Sequence, residues 1–121
     1  MTILVDERLD AQLHTWTRAC ELRSLLVGRG AAVLLPGGEQ VALFLLPGGD
    51  LAAVGNIDPF GRAAVMSRGI VGDRRGEPTV ASPLLKQVFS LVDGRCLDDE
   101  SRVLPVYDVR VVDGFVEVRS S

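Results

Sequence analysis

Few side chains in this chain of 121 residues could carry out acid–base, nucleophilic or metal chemistry. The sequence has one histidine, His14, and two cysteines, Cys20 and Cys96, which form no Cys-x-x-Cys pair. A catalytic base needs a partner within hydrogen-bond reach, and a metal centre needs several donors at ligand spacing. Because none of these three residues has such a neighbour in sequence, we expect them to be structural. We identify no catalytic, metal-binding or cofactor-binding residue from the residue types alone.

The most distinctive residues fall in two loop-like segments, NIDPFG at 56–61 and SPLLKQVFSLVDG at 82–94. Asparagine and aspartate side chains commonly accept hydrogen bonds from nearby backbone N–H groups in loops, so Asn56 and Asp58 are typical of loop-forming residues as well as of contact residues. Phe60 is either an exposed anchor or a cover over the core. We predict that the two loops meet at one end of the fold and form a partner interface. Its candidate residues are Asn56, Asp58, Phe60, Arg62, Arg68, Lys86 and Gln87.

Turn signals divide the rest of the chain into short apolar segments. AAVLL, EQVALFLL and LAAVG are separated by PGG and PGGD, whose residues supply the backbone angles of tight turns. VRVVDGFVEVR alternates on both sides of Asp113-Gly114, which predicts a β-hairpin. EQVALFLL is apolar on both faces and predicts a central strand. These patterns predict an all-β fold, a small β-sandwich or barrel.

Residues 56–99 show weaker alternation and contain both distinctive segments. We therefore expect one domain over residues 1–121, with 56–99 as an inserted subdomain that presents two loops. LHTWTRA alternates and predicts an early strand that carries Trp16 inward. Only AQLHTW and LRSLL could form helical turns, and both are short.

Composition excludes several classes of protein. The formal net charge is −3, so a general affinity for nucleic acid is not expected, because phosphate binding needs a basic face. No apolar run approaches the roughly 20 residues that span a bilayer, and the first residues lack the basic and apolar regions of a secretory signal. We expect a cytoplasmic protein without a membrane partner.

The arrangement of the two loops resembles a Rieske-type domain. In that fold a Cys-x-His loop and a Cys-x-x-His loop together hold a two-iron cluster. Ser82-Pro83 opens the second segment in the matching register, with Phe89 and Asp93-Gly94 downstream. The resemblance places Asn56, Asp58, Ser82 and Leu85 at the four former ligand positions. A leucine cannot coordinate a metal, and one histidine in the whole chain cannot supply two histidine ligands.

The strings NIDPF, SRGIVGD, VASPLLKQVFSL and DGRCLDD, together with WTRAC near the start, are similar to the small subunit of assimilatory NAD(P)H-dependent nitrite reductase. The resemblance covers residues 16–118. That family is a Rieske-like domain that lacks the cluster. It implies a non-catalytic accessory subunit of an oxidoreductase complex, with no cofactor of its own. Its partner would be a large subunit that carries siroheme, an iron–sulfur cluster, FAD and NAD(P)H and reduces nitrite to ammonium.

Three alternatives remain at this point. The chain could be a free-standing Rieske-like module without a cluster that binds or regulates another protein. It could be an electron-carrying ferredoxin with unusual ligands, against which Leu85 and the single histidine argue. It could be a small-molecule enzyme, although it shows no nucleophile–base pair and no paired carboxylates.

Overall fold

The computed structural model describes residues 16–120, which form strands joined by turns and two short 3₁₀ turns. The strands are β1 Thr17–Glu21, β2 Gly30–Leu34, β3 Gln40–Leu45, β4 Leu51–Gly55, β5 Ile70–Arg74, β6 Glu77–Ala81, β7 Val88–Ser90, β8 Tyr107–Val112 and β9 Phe115–Ser120. The 3₁₀ turns are Leu22–Ser24 and Met66–Arg68. The all-β prediction is confirmed.

The strands form three antiparallel sheets with the orders β1-β9-β8, β2-β3-β4 and β5-β6-β7. Among residues 16–120 each sheet is open, so the fold is a sandwich and not a closed barrel. β3 lies at the centre of the β2-β3-β4 sheet, and its residues 41–44 are fully buried. Alternate β3 side chains point to opposite faces, which explains why this strand is apolar throughout.

One core lies on each face of the β2-β3-β4 sheet. Ala42 and Phe44 pack with Val80 and Phe89 of the β5-β6-β7 sheet. On the opposite face, Val41 and Leu43 pack with residues of β8 and β9. The protein therefore has three layers, with the β2-β3-β4 sheet in the middle.

The predicted hairpin is present between β8 and β9. Both central residues have positive backbone angles, φ 51° at Asp113 and φ 80° at Gly114, as a type I′ turn requires.

Trp16 differs from the prediction, because it is half-buried and lies outside the two cores. The guanidinium groups of Arg110 and Arg119 lie over its ring, 4.2 and 4.4 Å from the ring centroid. His14 lies outside the described residues.

Residues 56–99 contain the two loops and the β5-β6-β7 sheet. A hairpin turn at Arg75 and Gly76, with φ of 54° and 87°, joins β5 to β6. β6 leads directly into the second loop and β7 follows it, so this small sheet positions one loop. Whether the segment behaves as an inserted subdomain stays a prediction, as does the single domain over 1–121.

The first loop begins where β4 ends, beside the start of β3. The Gly55 N–H donates to the Pro105 carbonyl (2.9 Å), and the Asn56 N–H donates to the Gln40 carbonyl (2.9 Å). These bonds fix the root of the loop on the central sheet. In residues 16–120 there is no helix long and apolar enough to cross a membrane.

Candidate functional site

The first loop, residues 56–64, is closed by backbone hydrogen bonds at Asp58. The Asp58 N–H donates to the Ala63 carbonyl (2.9 Å), and the Arg62 N–H donates to the Asp58 carbonyl (2.7 Å). Arg62 adopts the left-handed conformation with φ 57°. This conformation is uncommon for a residue with a side chain, and here it directs the chain back toward Ala63.

The second loop, residues 82–87, repeats this path. The Ser82 N–H donates to the Gln87 carbonyl (2.9 Å), and the Lys86 N–H donates to the Ser82 carbonyl (3.1 Å). Lys86 is left-handed, with φ 63°. The backbone hydrogen bonds therefore relate Asp58 to Ser82, and each loop places a cation at its left-handed position. We call the two loops together the loop tip.

The loops are joined by a buried hydrogen bond between these related residues. The Ser82 hydroxyl donates to Oδ2 of Asp58, and the two residues are 1% and 0% exposed. Oδ1 of Asp58 accepts from the Phe60 N–H (2.8 Å) and the Gly61 N–H (3.2 Å). All three donors converge on one carboxylate, so Asp58 organises the first loop and anchors it to the second.

The loops also touch through Gly61 and Leu84. A methyl group added at Gly61 would lie 2.7 Å from Cδ1 of Leu84, so a larger residue there would displace the Leu84 side chain. Phe60 is half-buried, packs against the core and lies 6.1 Å from the Phe89 ring, centroid to centroid. Of the two roles considered for Phe60, the structure shows the cover over the core.

Asn56 is 2% exposed and ties the first loop to the 3₁₀ turn Met66–Arg68. Its Oδ1 accepts from the Ser67 N–H (2.8 Å), and its carbonyl accepts from the Met66 N–H (3.0 Å). Asn56 and Asp58 were both candidates for partner contact. Because the structure buries both side chains and occupies their oxygens internally, they hold the loops in place, which is the loop-forming role also considered for them.

The exposed surface of the loop tip combines aliphatic and cationic side chains. Ile57, Leu84 and Leu85 are 48%, 46% and 57% exposed, while Arg62 and Lys86 are also exposed. The candidate list omitted Ile57, Leu84 and Leu85. The sequence does contain a signal for these three residues, because each loop has an apolar residue where a polar one would be expected. The clearest case is the pair of leucines between Pro83 and Lys86.

Arg68 lies beside the loop tip and lines a groove of about 240 Å³ with Gly28, Arg29, Gly30, Ser67 and Gly69. Arg29 was not a candidate, because it is distant in sequence from both loops. Gln87 is half-buried, and its Oε1 has no hydrogen-bond partner within residues 16–120. Gln87 therefore contributes little exposed surface.

A second polar link lies near the root of the first loop. The Tyr107 hydroxyl donates to Oε2 of Glu39 (2.9 Å), and the Ser120 hydroxyl contacts the same oxygen at 3.4 Å. Burial, and then the adjacent Glu39 carboxylate, raise the pKa of Tyr107 to about 12. Tyr107, Glu39 and Ile57 line a shared groove of about 220 Å³. The hydrogen bond between Tyr107 and Glu39 therefore lies next to Ile57 of the loop tip.

The cysteines are free, with Cys20 half-buried and Cys96 buried in the core. In the described range no group of three or more His, Cys, Asp or Glu residues could hold a metal ion. The exposed side chains of the loop tip are thus hydrocarbon, guanidinium and ammonium groups.

A family model described as a Rieske-like [2Fe-2S] domain matches residues 15–119. Such a cluster takes thiolate and imidazole ligands from two loops. At the corresponding loops of this chain, the resemblance puts Asn56, Asp58, Ser82 and Leu85. Asp58 and Ser82 bond to each other across the interval between the loops, and Leu85 has no donor atom. The residues present therefore do not fit a [2Fe-2S] cluster.

The chain is also similar in sequence to two proteins of known name. It is 47% identical to the "Nitrite reductase (NADH) small subunit" of Salmonella typhimurium over 108 residues, which cover 88% of this chain and 99% of that protein. It is 39% identical over 103 residues to the nitrite reductase [NAD(P)H] large subunit of Klebsiella oxytoca, covering 85% of this chain and 11% of that protein.

A crystal structure of an NADH-dependent nitrite reductase small subunit from Mycobacterium tuberculosis has the same fold. The TM-score is 0.84 at 57% sequence identity, with 87% of this chain and 94% of that chain covered. The match extends over nearly all of both chains and includes the strands and loops described above. The chain belongs to the family of small subunits of NAD(P)H-dependent nitrite reductase, an oxidoreductase family with a Rieske-like fold.

Proposed function

We propose that this chain is the accessory subunit of a cytoplasmic NAD(P)H-dependent nitrite reductase and supports the reduction of nitrite to ammonium in nitrate assimilation by docking to the large subunit. In this proposal the chain is non-catalytic and carries no cofactor. Siroheme, an iron–sulfur cluster, FAD and NAD(P)H belong to the large subunit.

The observation that carries the proposal is the relation to the Klebsiella oxytoca large subunit. A segment that makes up 11% of that protein is homologous to this domain. In that protein the domain and the remainder of the large subunit are one polypeptide. In one protein this domain is covalently joined to a large subunit. When the same domain is encoded as a separate chain, we expect it to bind a large subunit non-covalently.

The chemistry of the loop tip supports a non-catalytic role. Its one carboxylate, Asp58, is buried and accepts three hydrogen bonds, so it is not directed at a substrate. The exposed side chains are aliphatic or cationic, and none is paired with a base. Interfaces commonly have an apolar centre with polar groups around it, and the loop tip has this composition.

Docking through the loop tip refines the set of contact residues. Arg62, Arg68 and Lys86 remain from the original candidates, and Ile57, Leu84 and Leu85 join them because of their exposure. Asn56, Asp58, Phe60 and Gln87 shape this surface from beneath. The proposal is thus that the former cluster region serves as a contact surface.

Co-expression with the large subunit of the same organism tests the proposal. With an affinity tag on the large subunit alone, we expect the two chains to co-purify, and we expect the isolated small chain to contain no stoichiometric iron and to be colourless. An iron-containing small chain with cluster absorbance would overturn the accessory role. Failure of the two chains to co-purify would instead favour a free-standing binding or regulatory module.

A further inference from the structure

We infer that the loop tip and the adjoining groove form a positively charged docking face with an apolar centre, which binds an acidic surface of the large subunit. This inference rests on the proposed function and adds the chemistry of the partner's surface. We define the docking face as Arg29, Ile57, Arg62, Arg68, Leu84, Leu85 and Lys86.

The four cations of the docking face are uncompensated. Within residues 16–120, Arg29, Arg62, Arg68 and Lys86 are all exposed, and none forms an ion pair. Elsewhere in that range five of the eight arginines form an ion pair, and Arg18, Arg75 and Arg102 do not. Arg23, Arg74, Arg95, Arg110 and Arg119 each contact a carboxylate.

Two acids of the loop region accept hydrogen bonds, Asp58 and Asp98, whereas Asp99 and Glu100, next to Asp98 in sequence, are exposed and form no ion pair within residues 16–120. Asp58 is buried among donors from both loops. Asp98, which lies at the base of the second loop, accepts from the Val88 N–H (2.8 Å) and from Nη1 of Arg74 (3.5 Å). Because its seven residues include four cations and no carboxylate, the docking face itself is positive although the chain has a formal net charge of −3. Such a local excess attracts the opposite charge and steers association.

The groove beside the loop tip indicates which anion fits. Arg29 and Arg68 line it together with the backbone of three glycines and Ser67, in a volume of about 240 Å³. Arginine forms bidentate hydrogen bonds with carboxylates and phosphates. A carboxylate side chain of the partner that enters the groove would meet these two arginines.

The apolar centre favours a protein partner over a nucleic acid. Ile57, Leu84 and Leu85 contribute aliphatic surface with no aromatic ring for base stacking, which single-stranded binding uses. Duplex binding relies on many phosphate contacts, and the acidic remainder of this chain would oppose them. Aliphatic groups ringed by cations match a protein surface whose apolar patch is bordered by Asp and Glu.

The test measures association of the purified small chain with the large subunit at about 20 mM and about 500 mM salt. Arg62 and Lys86 are both changed to Glu in one variant, and Arg29 and Arg68 in a second. Charge reversal at an interface edge acts mainly on the association rate. We expect each double variant to associate about tenfold or more slowly at low salt. At high salt, where the Debye length falls to a few ångströms, we expect the difference to shrink to about twofold.

Arg75→Glu is the matched control for the charge changes. Arg75 is exposed, has no ion pair and is left-handed like Arg62 (φ 54°), but it lies at the opposite end of β6 from the second loop.

Leu85→Ser tests the apolar centre, with Val92→Ser as its control, because Val92 is 61% exposed beyond the far end of β7. We expect Leu85→Ser to raise the dissociation rate about tenfold, because burying a leucine side chain in an interface is favourable. Both controls should stay within about twofold of the parent chain.

The outcomes separate this inference from the proposed function. If the parent chain does not bind the large subunit at either salt concentration, the proposed function fails. If the parent chain binds but the double variants match Arg75→Glu and salt has no effect, the partner is real and the positively charged docking face is wrong. Binding of an oligonucleotide with similar affinity, weakened by the same variants, would also overturn the assignment to an acidic protein surface.

Discussion

Replacing Asp58 by alanine should loosen the loop tip, because this carboxylate is the single acceptor that joins both loops. The change removes hydrogen bonds from the Phe60 and Gly61 N–H groups and from the Ser82 hydroxyl. The two backbone donors lie in a half-buried to exposed segment and can turn to water, whereas Ser82 is 1% exposed and loses its acceptor. Hydrogen bonds to charged groups contribute about 1.5–3 kcal/mol, so we expect a loss of about 3 kcal/mol in the free energy of unfolding.

The link itself is measured by a double-mutant cycle with Ser82→Ala. Each single change should destabilise, and the double variant should lose less than the sum, with a coupling energy of about 1–2 kcal/mol. Asp58→Asn is the conservative control. Its amide oxygen can still accept from the Phe60 N–H and its NH₂ can donate to the Ser82 oxygen, so we expect a loss of about 1 kcal/mol.

Urea unfolding followed by circular dichroism gives the free energies, and hydrogen exchange of the Phe60, Gly61 and Leu84 amides reports the loops alone. We expect faster exchange at these amides in both single variants. Additivity of Asp58→Ala and Ser82→Ala within about 0.5 kcal/mol, with unchanged exchange, would refute the inter-loop link.

Two further predictions test the scaffold. Tyr107 is the only tyrosine, so the near-ultraviolet phenolate absorbance should titrate near pH 12 in the folded chain. Because its pKa is raised above the ordinary 10.0 to about 12 by burial and then by Glu39, the stabilisation is present below pH 10.0 and is lost as pH rises through 12. Tyr107→Phe should reduce this loss, and a folded-state titration midpoint near 10.0 would contradict the prediction. Gly94→Ala should cost about 3 kcal/mol in urea unfolding, because Gly94 has φ 79° and a methyl group would lie 2.0 Å from the Leu104 carbonyl oxygen. Gly37→Ala, where the space is open, should change stability by less than about 0.5 kcal/mol, and equal losses at the two glycines would be the wrong result.

Periodicity predicted the parts of the fold in which local pattern and burial agree. EQVALFLL is apolar at successive residues, and β3 is buried from both sides. The Asp113-Gly114 turn was predictable because two consecutive positive φ angles restrict the residue types. β6 was not predicted, because Pro78 lies within it and prolines are rare inside strands. Trp16 was expected inward, but residues distant in sequence, Arg110 and Arg119, cover its ring.

The site was predictable in position and less so in the direction of its side chains. The sequence drew attention to the two loops, and it left Asn56 and Asp58 as either loop-forming or contact residues, because asparagine and aspartate side chains commonly accept hydrogen bonds in loops. Their burial depends on donors from the 3₁₀ turn and the second loop, which no local pattern shows. Arg29 was missed for a related reason, since only the folded chain brings it to the groove with Arg68.

The most direct test of the accessory-subunit proposal is NAD(P)H-linked nitrite reduction by the large subunit of the same organism, measured with and without this chain. We predict that the small chain alone produces no ammonium and that adding it to the large subunit raises the rate of nitrite-dependent NAD(P)H oxidation, saturating at a fixed ratio of the two chains. An unchanged rate and an unchanged KM for nitrite at saturating small chain, with the cofactors of the large subunit fully occupied, would contradict the account.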